Sequence, residues 1–196
     1  MSATRLLVLG VVRMHGTAHG YQVRRELLSW SADQWANVQP GSIYHALKKM
    51  ASEGLLDRVE DTEQGSGPDR VAYRLSERGE AEFQHRLSLM LSNVKDDPNG
   101  SHEFLAAMVF LPVLERELAI SLLNYRLTAL GGSRANIEAL IDSSGKWGQP
   151  EHVRSMYRLW KIQLDGVIEW LTGVIEQLDS GDFVMADDPG KSFGSP

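Results

Sequence analysis

The chain has 196 residues with a formal net charge of −6, 42% hydrophobic and 23% charged residues, and no cysteine. This balance suits one large or two small globular domains, and it excludes disulfides and thiolate metal sites, in keeping with a reducing compartment. No apolar run reaches the roughly 18 residues of a membrane span, and no cleavage pattern follows the apolar start LLVLGVV, so a cytoplasmic protein without membrane contact is expected.

In chain order, residues 3–14 (ATRLLVLGVVRM) predict a buried helix that breaks at HGTAHG. Residues 20–30 (GYQVRRELLSW) set Tyr21, Val23 or Arg24, Leu27 and Leu28 at helical spacing and predict a second helix. SADQWANVQ reads as a loop. Pro40 then suits the first turn of a third helix, where its missing N–H costs nothing. There Ile43, Leu47 and Met50 recur at i, i+4 and i+7 as the buried stripe, and Gly54 supplies a left-handed end. The period then changes. Val71, Tyr73 and Leu75 alternate with polar residues, and together with LLDRVED they predict two strands joined by the turn-rich TEQGSGPD. Ser76 suits the N-cap of a helix with Phe83, Leu87, Met90 or Leu91, and Val94 inward. KDDPNGS at 95–101 reads as a linker.

Beyond it every pattern is helical. Residues 102–111 predict a short helix stopped by Pro112, and 113–142 a long one with a weak point at Gly131–Gly132. Between 150 and 179, Val153, Tyr157, Trp160, Leu164, Val167, Leu171, Val174 and Leu178 alternate in steps of four and three. Met156, Leu159, Ile168 and Ile175 widen this heptad seam beyond what one partner helix covers. A homodimer is therefore predicted, with Tyr157, Trp160, Leu164, Val167 and Leu171 at its contact. The aperiodic tail, 181–196, reads as disordered. The expected fold class is mostly α. An N-terminal winged helix-turn-helix (1–95), of three helices plus a β-hairpin wing, precedes a C-terminal helical dimerisation domain (102–180).

With its apolar stripe inward, the third helix turns Ser42, His45, Lys48, Lys49 and Ser52 outward and Tyr44 to its flank. A groove-reading helix needs such a face. Its first turn offers N–H groups and a positive dipole end to phosphate, small polar groups reach base edges, and lysines neutralise the backbone. Alone, the stretch reads more readily as an ordinary solvated face; its place directly before a hairpin reverses that preference in favour of double-stranded DNA. Residues 1–80 hold ten Lys/Arg and ten Asp/Glu, so the acidic excess lies wholly in the later part. Arg24 or Arg25 on the second helix can reach phosphate, with Arg5 and Arg13 on the first as further basic residues in support, and Arg70 can do so in the wing. The wing otherwise carries Asp57, Glu60, Asp61, Glu63 and Asp69 and is expected to add little binding.

His15 and His19 stand at i, i+4, but Gly16 and Gly20 break a helix there and no carboxylate completes a metal set. No phosphate-binding loop, hydrolase or metalloprotease motif occurs, and Asp96–Asp97 and Asp187–Asp188 fall in irregular segments. Neither catalysis nor a cofactor is predicted. Trp160 in the seam reads first as core, although aromatics at a dimer junction also seat planar molecules, which would admit a small aromatic effector.

The stretches LLVLG at 6–10, HGY at 19–21, PGSIYHALKKMASEGLL at 40–56 and GSGPDRVAYRLSERG at 65–79 resemble the PadR-type transcriptional regulators. HEFLAAMVF and the YRLW and VIEWL segments are similar, more loosely, to the helical C-terminal domain of the longer PadR regulators related to the virulence activator AphA. The resemblance implies a dimeric repressor, less often an activator, reading a pseudo-palindromic operator. Its third helix would enter the major groove through Ser42, Tyr44, His45, Lys48 and Lys49. Some members of the family are released by phenolic or drug-like ligands. The acidic wing and the longer HGTAHGY turn depart from the commonest pattern. The competing reading, favoured by the charge of −6, is a protein-interaction module without DNA contact.

Overall fold

The computed structural model describes residues 2–60, 71–95, 98–190 and 192–194, which form two compact units. The first contains 1–91, 95–115 and 184–196; the second contains 92–94 and 116–183.

In the first unit, helix α1 (Ala3–His15) is apolar nearly all round, and Leu6, Leu7, Val8, Leu9, Val11 and Val12 are fully buried. A helix without a polar face must be surrounded, and α1 is the centre of this unit. Gly10 lies directly beneath the Phe110 ring, leaving no room for a side chain. Gly16 (φ 65°) ends α1, and the expected break at HGTAHG contains a short strand, β1 (Ala18–His19). Helix α2 (Gly20–Ser29) buries Val23 and Leu27. The stretch expected as a loop holds a single helical turn, α3 (Ala32–Trp35), between the left-handed residues Ser31 and Asn37. Helix α4 (Pro40–Ser52) carries Pro40 in its first turn and ends before Gly54 at φ 72°, as its sequence predicts.

Strands β2 (Leu56–Glu60) and β3 (Val71–Leu75) pair antiparallel from Leu56 opposite Leu75 to Glu60 opposite Val71. β1 adds to the other edge of β3, giving the order β1-β3-β2. The expected two-stranded wing is thus a three-stranded sheet whose central strand buries Ala72 and Tyr73. Ser76 Oγ accepts from Gly79 N (3.0 Å) and donates to Gly54 O (2.8 Å), so this N-cap also fastens α5 (Glu77–Ser92) to the end of α4. Phe83, Leu87, Met90 and Leu91 are buried on α5.

Helix α6 (Pro98–Val109) begins inside the stretch expected as a linker. Pro98 has the pre-set φ of a helix start, and a sequence reading that takes Pro-Asn-Gly as a break misses this. Pro112 then lies in a 3-10 turn, Leu111–Val113, not at a helix end. The tail expected to be disordered also belongs to this unit. Met185 is fully buried, and Ala186 N donates to Leu114 O at 3.2 Å.

The second unit is a pair of long helices, α7 (Arg116–Ser144) and α8 (Glu151–Ser180). α7 runs unbroken through Gly131–Gly132, where an added Cβ would meet nothing. Ala119, Leu123 and Leu130 of α7 and Leu171, Val174, Ile175 and Leu178 of α8 are buried. Arg116 closes the end of α8 by donating to the carbonyls of Leu178 and Phe183. Arg126 is buried and donates to Asn93 O at 2.6 Å, and its burial lowers the guanidinium pKa to about 10. Farther along, Arg134 and Lys161 both bind the Asp165 carboxylate, at 2.7 and 2.6 Å.

Among the described residues, no helix is long and apolar enough to cross a membrane.

Candidate nucleic-acid interface

Helix α4 divides along its length as a 3.6-residue period requires. Ile43, Ala46, Leu47 and Met50 are buried, while Tyr44, His45, Lys48, Lys49 and Ser52 are exposed. Ser42 is half-buried and turns back, its Oγ donating to Gln39 O at 2.6 Å. No side chain caps the first turn, where Gln39 is the N-cap, and around Gly41 an added Cβ would meet nothing within 4 Å. The backbone there is open to a close approach.

Helix α2 exposes Arg24 and Arg25. Its first residue, Gly20, lies beneath Tyr44; a Cβ there would come within 2.7 Å of Tyr44 Cε1. Tyr44 therefore both packs across the α2–α4 contact and presents an exposed edge. Tyr21, which follows Gly20 on α2, is 44% exposed with its ring 5.7 Å from that of His19. The Gly in HGY was the available signal for the Tyr44 contact, since it marks a close approach that only the partner residue identifies.

The ion pairs separate the cations of this unit into two groups. Arg5 forks onto the Glu53 carboxylate (Nη1–Oε1 3.1 Å), Arg13 binds Glu80 at 2.9 Å, Arg74 meets Asp57 at 3.7 Å, and Arg78 donates to Glu53 O. Among the described residues, Arg24, Arg25, Lys48 and Lys49 form no ion pair with a carboxylate, although the Lys49 charge acts on Glu53 one turn along. The cations bound internally secure the scaffold; of those without an ion pair among the described residues, Arg24, Arg25, Lys48 and Lys49 lie on α2 and α4, and the exposed Arg58 lies on β2. Arg70 and the acidic tip residues lie outside the described residues. His15 sits 3.8 Å from Glu26, and the His19 N–H donates to Gln22 Oε1 at the start of α2.

The Arg5 hydrogen bonds, with help from Lys49 and Arg78, hold the Glu53 carboxyl below the usual carboxylate range. A lowered carboxylate pKa stabilises the fold above the unfolded-state value, and that contribution disappears as pH falls through the folded-state value. Glu53 is about one-third exposed, so the effect is a few tenths of a kcal/mol after solvent screening. Glu53→Gln should lower Tm slightly at pH 7, and the gap from the parent should close as pH falls below the ordinary carboxylate range, where the carboxylate takes up its proton. Thermal melts of the two chains, run in parallel from about pH 3 to pH 7, check this.

The seam residues on α8 are distributed unevenly. Leu171 is buried within the helical pair, Tyr157 and Leu164 are half-buried, and Trp160 and Val167 are each 42% exposed. Met156, Leu159 and Trp170 are also exposed, and helical spacing puts them on the same face as Trp160 and Val167. Tyr157 and Trp160 have ring centroids 5.5 Å apart. A cavity of about 370 Å³ in the first unit is lined by Ser2, Ala3, Thr4, Ala36, Asn37, His102 and Glu103 and contains no tryptophan.

Residues 8–85 match the model of the transcriptional regulator PadR-like family. No curated protein matches the chain. Among solved structures, the chain is similar to Bacillus subtilis PadR in complex with operator DNA, at 18% identity and a TM-score of 0.37 over 89% of this chain and 98% of that one. It is also similar to Bacillus subtilis PadR in complex with p-coumaric acid, at 17% identity and 0.36 over 90% and 97%. The PadR-like transcriptional regulator BC1756 from Bacillus cereus gives 18% and 0.38 over 91% and 99%.

Proposed function

For a chain whose residues 8–85 belong to the PadR-like family of transcriptional regulators, we propose a homodimeric, sequence-specific DNA-binding repressor. The reading is carried by the face of α4. Lys48, Lys49 and His45 stand exposed opposite a buried apolar stripe, and the neighbouring Arg24 and Arg25 are likewise open, whereas Arg5 and Arg13 are bound internally. Lysines and arginines so placed neutralise phosphate, while His45 and Tyr44, near the start of α4, reach base edges. Ser42 would join them by releasing Gln39 O. The exposed stripe Met156, Leu159, Trp160, Val167 and Trp170 supports pairing with a second copy. Two copies would set two α4 helices about 34 Å apart, one duplex turn, on a pseudo-palindromic operator.

Selection of bound sequences from random duplex DNA tests this. A palindromic consensus is expected, with affinity that falls steeply as salt rises. Failure to enrich any sequence, with no gel shift on the region upstream of its own gene, would instead support the protein-interaction module. Repeating the selection with phenolic compounds asks whether an aromatic effector releases the DNA.

Two glycine variants separate fold from binding. Gly41→Ala meets open space in a helical first turn and should raise stability by up to about 1 kcal/mol. Its added methyl group obstructs phosphate approach, so operator affinity should drop roughly tenfold. Gly20→Ala pushes on Tyr44 and should lower both Tm and affinity. Thermal melts and fluorescence titration with the selected duplex read both.

A further inference from the structure

The last part of the chain returns to the first unit through two anchors. At the inner one Met185 is fully buried, its N–H donates to the Asp188 carboxylate at 2.8 Å, and Ala186 N holds Leu114 O. At the outer one the Phe193 ring lies 5.8 Å from Trp30 and 6.3 Å from Phe110, centroid to centroid. Trp30 in turn meets Phe110 at 6.0 Å, and Phe110 meets Phe83 edge-on at 5.5 Å. Gly194 has φ 87°, and a Cβ on it would fall 2.7 Å from Val113 Cγ2 and 3.3 Å from Phe110 Cδ1. Its carbonyl accepts from Arg13 Nη1, a guanidinium already steadied by Glu80. Ser192 is buried. This is a shaped seat for an aromatic residue followed by glycine.

The position of the seat gives it a consequence. Trp30 closes α2 and immediately precedes the connection to α4, in which Ser31 (φ 55°) and Asn37 (φ 52°) are both left-handed without being glycine. Such backbone persists only where its surroundings enforce it. The internal bonds of the connection include Trp35 Nε1 to Trp30 O at 2.8 Å and Val38 N to Ala32 O at 3.2 Å. Phe193, 45% exposed, lies against both Trp30 and Phe110 from the solvent side.

We propose that the C-terminal segment is a strap bound in cis, whose Phe193–Gly194 anchor clasps the turn between α2 and α4 through Trp30. The set of α4 against α2 then depends on the Phe193–Gly194 anchor as well as on the helices themselves. The strap stands apart from DNA binding and is tested without it.

Chymotrypsin cleavage after Phe193 in the full chain, followed by intact mass, is compared with cleavage of a synthetic peptide spanning 184–196. A docked strap should be cut at least about tenfold more slowly than the peptide, because cleavage must wait for local opening. Gly194→Ala, strained at its φ and crowded by Val113, should bring the chain to within about twofold of its own matching peptide. Backbone hydrogen exchange over residues 30–38 should accelerate several-fold in both Gly194→Ala and Phe193→Ala, with β2 and β3 unchanged as internal reference. Peptide-like cleavage of the parent chain overturns the strap. Unchanged exchange over 30–38 in either variant overturns the clasp.

Discussion

Replacing Lys48 and Lys49 together by Ala should lower affinity for the proposed operator by roughly 10- to 100-fold at moderate salt and flatten its salt dependence by about 1.8 in log–log slope, near 0.9 for each phosphate that a lysine no longer neutralises. Both side chains are exposed and, among the described residues, neither forms an ion pair; Lys49 adds only a through-space charge at Glu53, so their removal costs the fold little. Ala is the better helix former, and Tm should hold or rise slightly. The reductions should be similar across operator and unrelated DNA, since phosphate contacts carry no sequence information. His45→Ala, by contrast, should narrow the gap between operator and unrelated duplex by about 1–3 kcal/mol if it reads a base. Titration at several salt concentrations separates the two roles. An unaltered slope in the lysine variant would remove α4 from the groove.

Introducing Glu at both Trp160 and Val167 should convert the proposed dimer to monomer. In one copy these positions are each 42% exposed and share a face with Met156, Leu159 and Trp170, so the carboxylates remain hydrated and the chain folds. Pairing two copies through that face would bury both charges uncompensated, at several kcal/mol, and the dimer dissociation constant should rise by at least about 1,000-fold. Operator binding weakens with it, because two half-sites are no longer engaged by one molecule. Leu171→Ala is the contrasting variant. Leu171 is fully buried inside the α7–α8 pair, and its truncation should cost about 2–5 kcal/mol of stability. Sedimentation with thermal melting distinguishes the classes, and a double-Glu chain that still sediments as a dimer places the interface elsewhere.

Where a feature depends on near neighbours in the chain, it was legible. The buried stripe Ile43, Leu47, Met50, the proline start and glycine end of α4, and the Ser76 cap all follow from local spacing and local backbone chemistry. The structure placed each as expected. The 3-10 turn at Pro112 and the start of α6 at Pro98 did not read correctly, because proline marks both a helix's first turn and a break. The three-stranded sheet was half-legible. β1 is two residues long, too short to show alternation, and exists through its pairing with Tyr73 and Ala72.

The candidate site divides in the same way. Which residues of α4 face outward came from a 3.6-residue period, while which cations stay open for phosphate came from Glu53 and Glu80, partners 48 and 67 residues distant from Arg5 and Arg13. Composition alone could not separate those two arginines from Lys48 and Lys49. The placement of Tyr44 over Gly20 depends likewise on a contact between helices.

Sequence by itself determined the longer helices apart from the start of α6, the two faces of α4 and the heptad seam of α8, because periodicity states which side chains share a face. Tertiary structure alone decided what covers each face. Within one unbroken seam Leu171 is buried in its own chain while Trp160 is left exposed, and in an aperiodic tail Phe193 finds Trp30 and Phe110. Burial is a property of a residue together with whatever lies against it, and that partner is set by chain connectivity and packing across distances that no local pattern spans.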